Sequence, residues 1–233
     1  MGQGLAMSLL EVRGLTKQFG RRRVVDCLDL TVDAGEVVGL LGSNGAGKTT
    51  ALRIVFGLLR ANTGRVFFAG IDVSRWPTWR LARLGIGYVA QETSIFRELT
   101  VEQNVLAVLE AGCTWRGENA WGDRLQRASD LLDRFGLAKL KDHRAVTLSG
   151  GERRRLEIAR CLVLEPSLIL LDEPFTGIDP ESIQQVQAII HELRDDGIGV
   201  LLTDHNVEQT IKMTDRSYVI WSGKFYAHGL PGD

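Results

Sequence analysis

Apolar residues fall in short runs near the start of the chain, at Leu9–Arg13, Val24–Val32, Glu36–Leu41 and Arg65–Phe68, and Gly14, Gly20, Gly35 and Gly64 separate them. Runs of this length, rich in Val, Leu and Phe, predict strands. From about Lys48 to Leu59 the spacing changes. Leu52, Val55, Phe56 and Leu59 recur at i, i+3, i+4 and i+7, which predicts a helix with one buried stripe. Farther on, Val101–Leu109 and Arg124–Phe135 are candidate helices, the second with Leu125, Ala128, Leu132 and Phe135 on one face. Gly112–Gly122 lies between them and is expected to be a loop. A further helix runs from about Gly150 to Leu164 and must end near Pro166.

The last third alternates. Leu168–Leu171 predicts a strand, Glu181–Leu193 a helix with Ile183, Val186, Ile190 and Leu193 inward, Gly199–Thr203 a strand and Val207–Met213 a short helix. Ser217–Trp221 and Lys224–His228 flank a Ser-Gly pair, which predicts a hairpin. Continuous apolar strands alternating with helices predict an α/β fold whose mostly parallel sheet is covered on both faces. There is no internal repeat or long linker.

The chain's 233 residues suffice for one compact unit with a sizeable core. A net charge of -1 gives no electrostatic case for a nucleic-acid partner. Cys27, Cys113 and Cys161 are odd in number and lack metal-type spacing, so they read as small apolar filler in a reducing cytoplasm. The longest apolar runs, Val37–Leu41 and Leu168–Leu171, have strand length and fall far short of a bilayer. The opening MGQGLAMSLLEV has no basic flank or long apolar centre and is not expected to be a secretory signal; Met7 is a second candidate start. Ala6 stands where a myristoylation site requires Ser or Thr.

Gly42-Ser43-Asn44-Gly45-Ala46-Gly47-Lys48-Thr49 fits G-x-x-x-x-G-K-[ST] and sits between a predicted strand and a predicted helix. Glycines let successive backbone N–H groups face a phosphate, and the helix N-terminus adds positive potential. Lys48 can reach the β- and γ-phosphates of a nucleotide, and the Thr49 hydroxyl can ligate Mg²⁺. A flexible turn before an unrelated helix is the competing explanation.

Leu168–Leu171 ends in Asp172 and Glu173. Ligands in open α/β sheets lie at the carboxyl ends of strands, so these acids are expected to face the phosphate loop. Asp172 suits Mg²⁺, and Glu173 suits polarising an attacking water. A solvated strand end would look the same in isolation. Ser149-Gly150-Gly151-Glu152 reads both as a capping box and as a second anion cradle. Adjacent glycines cost stability at a helix start if nothing approaches them.

Taken in order, Gly42–Thr49, Gln91, Leu148–Glu152, Leu168–Glu173, Asp179 and His205 resemble the ABC-transporter ATPase family across nearly the whole chain. These segments match its Walker A, Q-loop, signature, Walker B, D-loop and switch-histidine motifs. The resemblance implies a P-loop NTPase core with an N-terminal antiparallel β subdomain and an inserted helical subdomain. One ATPase domain would span 1–233, with the ATP-binding core and β subdomain at 8–90 and 165–233 and the helical subdomain at 91–164.

The resemblance further implies ATP with Mg²⁺, and a head-to-tail homodimer that holds each ATP between Gly42–Thr50 of one subunit and Ser149–Gly151 of the other. Phe19 would stack on adenine or, alternatively, sit in a core strand. Gln91 would sense Mg²⁺ and the attacking water, or be an ordinary surface amide. His205 would touch the γ-phosphate and orient Glu173, or be structural. Asp179 would cross the dimer interface, cap the helix that starts at Pro180, or both. Gln91–Phe96 would border the groove for integral membrane subunits, with Ile95 and Phe96 as its floor unless they pack in the chain's own core.

Arg21–Val25, Gly85–Tyr88, Ser149–Arg155, Leu171–Phe175 and Thr203–Val207 are most similar to the group of these ATPases that serves lipopolysaccharide export. That likeness implies work on the cytoplasmic face of a bacterial inner membrane. The ATPases of branched-chain amino-acid importers are closely similar, and a soluble assembly ATPase is a third option. Thr176-Gly177-Ile178 departs from the more usual Ala-Gly-Val, and the sequence stops at Asp233 where relatives continue through a further helix. Arg21–Arg23 and Arg153–Arg155 read as solvated faces.

Overall fold

The computed structural model describes residues 8–116, 121–221 and 223–229. Ten strands form one sheet in the order β5-β4-β1-β2-β10-β9-β3-β8-β7-β6. At one end β1 (Leu10–Phe19), β2 (Arg22–Val32), β4 (Thr63–Phe68) and β5 (Ile71–Asp72) pair antiparallel. At the other, β3 (Val37–Leu41), β8 (Gly199–Asp204), β7 (Leu168–Asp172) and β6 (Ile86–Val89) run parallel. The hairpin of β9 (Arg216–Trp221) and β10 (Lys224–Gly229) joins the two halves, with β9 parallel to β3 and β10 meeting β2 at Lys224 and Asp26.

Every residue of β3, β7 and β8 is buried, which is why their sequences read as unbroken apolar runs. One core, including Leu40, Leu52, Leu170 and Leu201, lies between the parallel strands, the antiparallel end and α1 (Lys48–Val55). A second core, including Val105, Leu132, Leu156, Ile190 and Leu202, joins the opposite face to α3 (Val101–Arg116), α4 (Trp121–Arg134), α5 (Gly150–Leu162) and α6 (Pro180–Asp195). The α/β class and the hairpin agree with expectation.

Several details differ. The α1 helix ends at Val55, because the backbone turns left-handed at Gly57; Phe56 and Leu59 still pack on the core from the turn beyond it. Residues 112–116 belong to α3 and residues 121–122 open α4, so the loop expected across Gly112–Gly122 is at most residues 117–120, which lie outside the described residues. Gly112 serves packing rather than a turn: α3 passes close to the end of α5, and a Cβ there would stand 2.8 Å from Leu164. Leu125 is exposed, while Ala128, Leu132 and Phe135 are buried as their spacing requires. Cys161 packs against the helical core as filler should, but Cys27 is exposed on β2 and fills nothing.

Besides the two-residue β5 and the short 3₁₀ turns at Ala138–Leu140 and Ala145–Thr147, two elements have no counterpart in the sequence pattern. One is α2 (Thr78–Leu84), which buries Leu81 alone and so leaves no periodic stripe. The other is β6, whose Gly87 interrupts the apolar run because the Cys161 sulfur occupies the space a Cβ would need. The short α7 (Val207–Ile211) follows β8.

Candidate functional site

The carboxyl ends of β3, β7 and β8 open toward one place. From β3 the chain turns through Gly42–Gly47 into α1. Gly47 has φ 106°, and a Cβ on it would overlap the Val24 carbonyl, so this position admits glycine on two counts. Behind the turn, the Gly223 N–H donates to the Ala46 carbonyl at 3.1 Å, and the Gly223 carbonyl accepts the Asp26 N–H at 2.7 Å. The β9–β10 turn and β2 therefore back the loop from outside the motif.

Lys48 opens α1 and is buried. Its ammonium donates to the carbonyls of Gly42 at 2.7 Å and Ser43 at 3.2 Å, and lies 3.8 Å from Glu173 Oε1. Burial lowers its pKa from the usual lysine range, while the carboxylates of Glu173, Asp204 and Asp172 oppose that shift. Ser43, Asn44 and Gly45 are exposed, Ala46 is buried and Thr50 is half-buried on the helix. A cavity of about 230 Å³ adjoins the loop, lined by Ser43 to Ala46 together with Arg22, Arg23 and Val24. Arg21–Arg23 are exposed as expected, yet Arg22 leans over the loop with Nη2 3.5 Å from the Gly45 carbonyl.

Asp172 and Glu173 end β7 inside the protein, which contradicts a merely solvated strand end. Asp172 Oδ1 accepts the hydroxyls of Thr49 at 2.9 Å and Thr203 at 2.8 Å, and Oδ2 accepts the Tyr88 hydroxyl at 3.2 Å. Glu173 has φ 45°, a left-handed backbone that is uncommon outside glycine, and such outliers cluster at working sites. Its N–H donates to both the carbonyl and the hydroxyl of Thr203 at 3.1 Å. Its Oε2 accepts the Gln91 amide at 3.0 Å and the Thr176 hydroxyl at 3.2 Å, with His205 Nδ1 3.6 Å away. Gln91 and His205 themselves face solvent.

Asp204 adds a third carboxylate. Its Oδ1 accepts the Asn206 N–H at 2.8 Å, and its buried Oδ2 has no hydrogen-bond partner among the described residues. Three acids thus converge near one ammonium. A divalent cation fits this imbalance: the Thr49 hydroxyl and the Asp172 carboxylate are oxygen donors of the kind Mg²⁺ takes, with its remaining positions filled by phosphate and water. No cluster of three metal-ligating residues exists among the described residues, so a cage built of protein alone is not what these donors offer.

Ser149 caps α5. Its hydroxyl accepts the Glu152 N–H at 3.3 Å, and Glu152 Oε2 accepts the Ser149 N–H at 2.7 Å. The glycines that follow are explained within the chain. A Cβ on Gly151 would collide with Ser182, and one on Gly150 would stand 3.0 Å from the Gly177 carbonyl. That packing is a second reason for their smallness, alongside an approaching phosphate, and Ser149 itself is exposed. Asp179 caps α6 by accepting the Ser182 N–H at 3.0 Å, with Pro180 in the first turn, as one of its two readings requires.

Phe19 ends β1 with 48% of its surface exposed and Lys17 Nζ 5.0 Å from its ring, so it is no core residue. Ile95 and Phe96 separate. Ile95 is buried in the helical core and leaves the expected groove floor; Phe96 is 48% exposed, with the Arg160 guanidinium 4.7 Å from its ring. A larger cavity of about 390 Å³, lined by residues such as Arg127, Leu131 and Glu165, holds none of these groups.

The structure thus brings Lys48, Thr49, Gln91, Asp172, Glu173 and His205 together and leaves Ser149 and Asp179 on helix starts of their own. The expectation that Arg153–Arg155 form a solvated face is corrected: Arg154 is buried with its guanidinium on the carbonyls of Asp172 and Glu173, and Arg153 and Arg155 are half-buried. Sequence reasoning assigned no role to Tyr88, Thr203 or Asp204. These three stand at the carboxyl ends of β6 and β8, a position that could have marked them. Burial raises the Tyr88 phenol to about 12, with the Asp172 carboxylate adding to the shift, so it remains a donor.

The family model described as ABC transporter matches residues 25–176. An uncharacterized ABC transporter ATP-binding protein of Rhizobium meliloti is 50% identical over 224 residues, which is 96% of this chain and 81% of that protein. The lipopolysaccharide export system ATP-binding protein LptB of Haemophilus influenzae is 46% identical over 97% of this chain and 92% of its own length. Among solved structures, an ATP-binding cassette of an ABC transporter in its ADP conformation superposes with a TM-score of 0.85 at 27% identity, covering 97% of this chain and 92% of its own.

Proposed function

The chain belongs to the ABC transporter family as an ATP-binding, ATP-hydrolysing subunit, and from that premise we propose that it drives lipopolysaccharide export at the cytoplasmic face of a bacterial inner membrane. The convergence of Lys48, Thr49, Gln91, Asp172, Glu173 and His205 on one point carries the catalytic part of this proposal. The export-system relatives, aligned over nearly the whole chain, support the cargo.

In this proposal Gly42–Thr50 cradle the triphosphate of ATP, Lys48 meets the β- and γ-phosphates, and the exposed Phe19 stacks on adenine. Mg²⁺, held by Thr49, Asp172 and Gln91, would offset the charge that gathers on the phosphates. Glu173 accepts a proton from the water that attacks the γ-phosphorus, as the bond to the β,γ-bridging oxygen breaks. Gln91 and His205, already beside Glu173, orient that water. Ser149–Gly151 and Asp179 of a second copy would close over the γ-phosphate. Residues 91–164 form the helical subdomain, and Phe96 with Arg160 receives integral membrane subunits.

Purification of the native complex in detergent tests the assignment. Two copies of the chain should co-purify with integral membrane subunits and bound lipopolysaccharide, and added lipopolysaccharide should change ATP turnover. A complex that lacks lipopolysaccharide and responds instead to an amino acid would overturn the cargo.

A further inference from the structure

Arg154 and Glu157 lie one turn apart on α5, and both are buried. Neither has a place in the binding or catalytic assignments above. The Arg154 guanidinium donates to four main-chain carbonyls: Ala90 at 2.7 Å, Asp172 at 2.9 Å, Glu173 at 3.0 Å and Pro174 at 3.1 Å. It also donates to Glu157 Oε2 at 3.0 Å, so each of its five N–H groups has an acceptor. The other oxygen of Glu157, Oε1, accepts the Ser94 N–H at 2.8 Å. Two side chains thus hold the backbone after β7 and the backbone on both sides of Gln91.

Gross stability is a weak reason for such an arrangement, because buried ion pairs are often replaceable by apolar residues at no cost. Geometry is a stronger one. Glu173 has φ 45°, a conformation that persists only where its surroundings over-determine it, and Arg154 grips its carbonyl and those on either side. The Gln91–Glu173 hydrogen bond spans the two segments that the pair ties together. The N-terminus of the same helix carries Ser149.

We propose that Arg154 and Glu157 are a positioning pair that makes α5, the Gln91 segment and the Glu173 peptide move as one body, so that displacement of the helix start reaches the catalytic carboxylate. This rests on the ATPase reading above. Neither residue touches the phosphate loop in this arrangement, so the pair sets turnover rather than nucleotide affinity.

The test uses R154K and E157Q in the full chain, with E173Q as a control. A lysine keeps the charge but cannot reach the spread of carbonyls; a glutamine keeps the shape of Glu157 without its charge. ATP binding, kcat, thermal unfolding and amide exchange are measured on each. The expected result is a Kd for ATP within about twofold of the parent and kcat lower by roughly tenfold to a hundredfold, the scale of a misplaced reacting group. Amide exchange should rise together in residues 90–94 and 173–176. If R154K does not fold, E157Q alone decides. Parental kcat in the variants, or a loss of affinity and kcat in step with unfolding temperature, overturns the proposal. A parent chain without ATP turnover overturns the ATPase reading instead; a parent that turns over ATP, an inert E173Q and a fully active R154K overturn this pair alone.

Discussion

The Thr203 hydroxyl donates to Asp172 Oδ1 at 2.8 Å from the neighbouring strand β8. The oxygen of that hydroxyl accepts the Glu173 N–H at 3.1 Å, so one buried side chain fixes the first acid and the peptide of the second. Thr203→Val keeps the shape and removes both bonds. The expected loss of stability is about 1–2 kcal/mol, the net scale of lost hydrogen bonds, because Asp172 Oδ1 keeps the Thr49 hydroxyl and the Glu173 N–H keeps the carbonyl at position 203. The Mg²⁺ concentration for half-maximal turnover should rise as well, and Thr203→Ser should restore both. Unchanged urea midpoints and Mg²⁺ dependence in the valine variant would remove Thr203 from the site.

Glu173→Gln retains the side chain's size, its left-handed backbone and its contact with Gln91, but no longer accepts a proton. ATP affinity should be preserved and kcat should fall by about 10²–10⁴, the contribution of a positioned general base. Single-turnover hydrolysis with bound ATP measures this without interference from product release. Turnover at the parental rate would move the base elsewhere, with Asp204 the next candidate because its Oδ2 is buried and unsatisfied.

Much of this arrangement is legible in the residues alone, for identifiable reasons. Buried parallel strands have no solvent face, so β3, β7 and β8 read as unbroken apolar runs, and the groups at their carboxyl ends become candidates without any structure. The phosphate loop is local, and its spacing carries its geometry. What escaped is nonlocal. Thr203 matters because β8 lies beside β7, and Arg154 because α5 crosses under the end of β7; neither adjacency leaves a periodic trace. The pair Gly150-Gly151 has a nonlocal reason too, since Gly177 and Ser182 of the same chain leave little room for a Cβ at either position.

Alkaline pH should weaken the fold through two named groups. Burial pushes the Cys161 thiol from 9.0 up to about 12, and burial with Asp172 pushes the Tyr88 phenol from 10.0 up to about 12. Both retain their protons in the folded chain after the unfolded chain has released its own. The stability they contribute is therefore complete below about pH 9 and is lost as pH rises toward 12. Urea midpoints measured across this alkaline range should fall, and the combined Tyr88→Phe, Cys161→Ala chain should fall less steeply. Equal slopes in the two chains would show that neither group governs the alkaline limb.

Ser149 has two roles to separate, because its hydroxyl caps α5 and is also assigned to a phosphate held by a second copy of the chain. Alanine would disturb both, at a capping cost of about 1 kcal/mol. Asparagine is as good an N-cap as serine, so Ser149→Asn should leave the unfolding temperature near that of the parent. Its amide is larger than a hydroxyl and presents N–H groups differently, so closure over a γ-phosphate should fail. In a Glu173→Gln background, ATP and Mg²⁺ should drive the chain that keeps Ser149 into a dimer detectable by light scattering. The chain that also carries Ser149→Asn should stay monomeric and still bind nucleotide. A dimer of equal strength in both would mean that the helix start merely caps α5, and that ATP is not held between two copies at this residue.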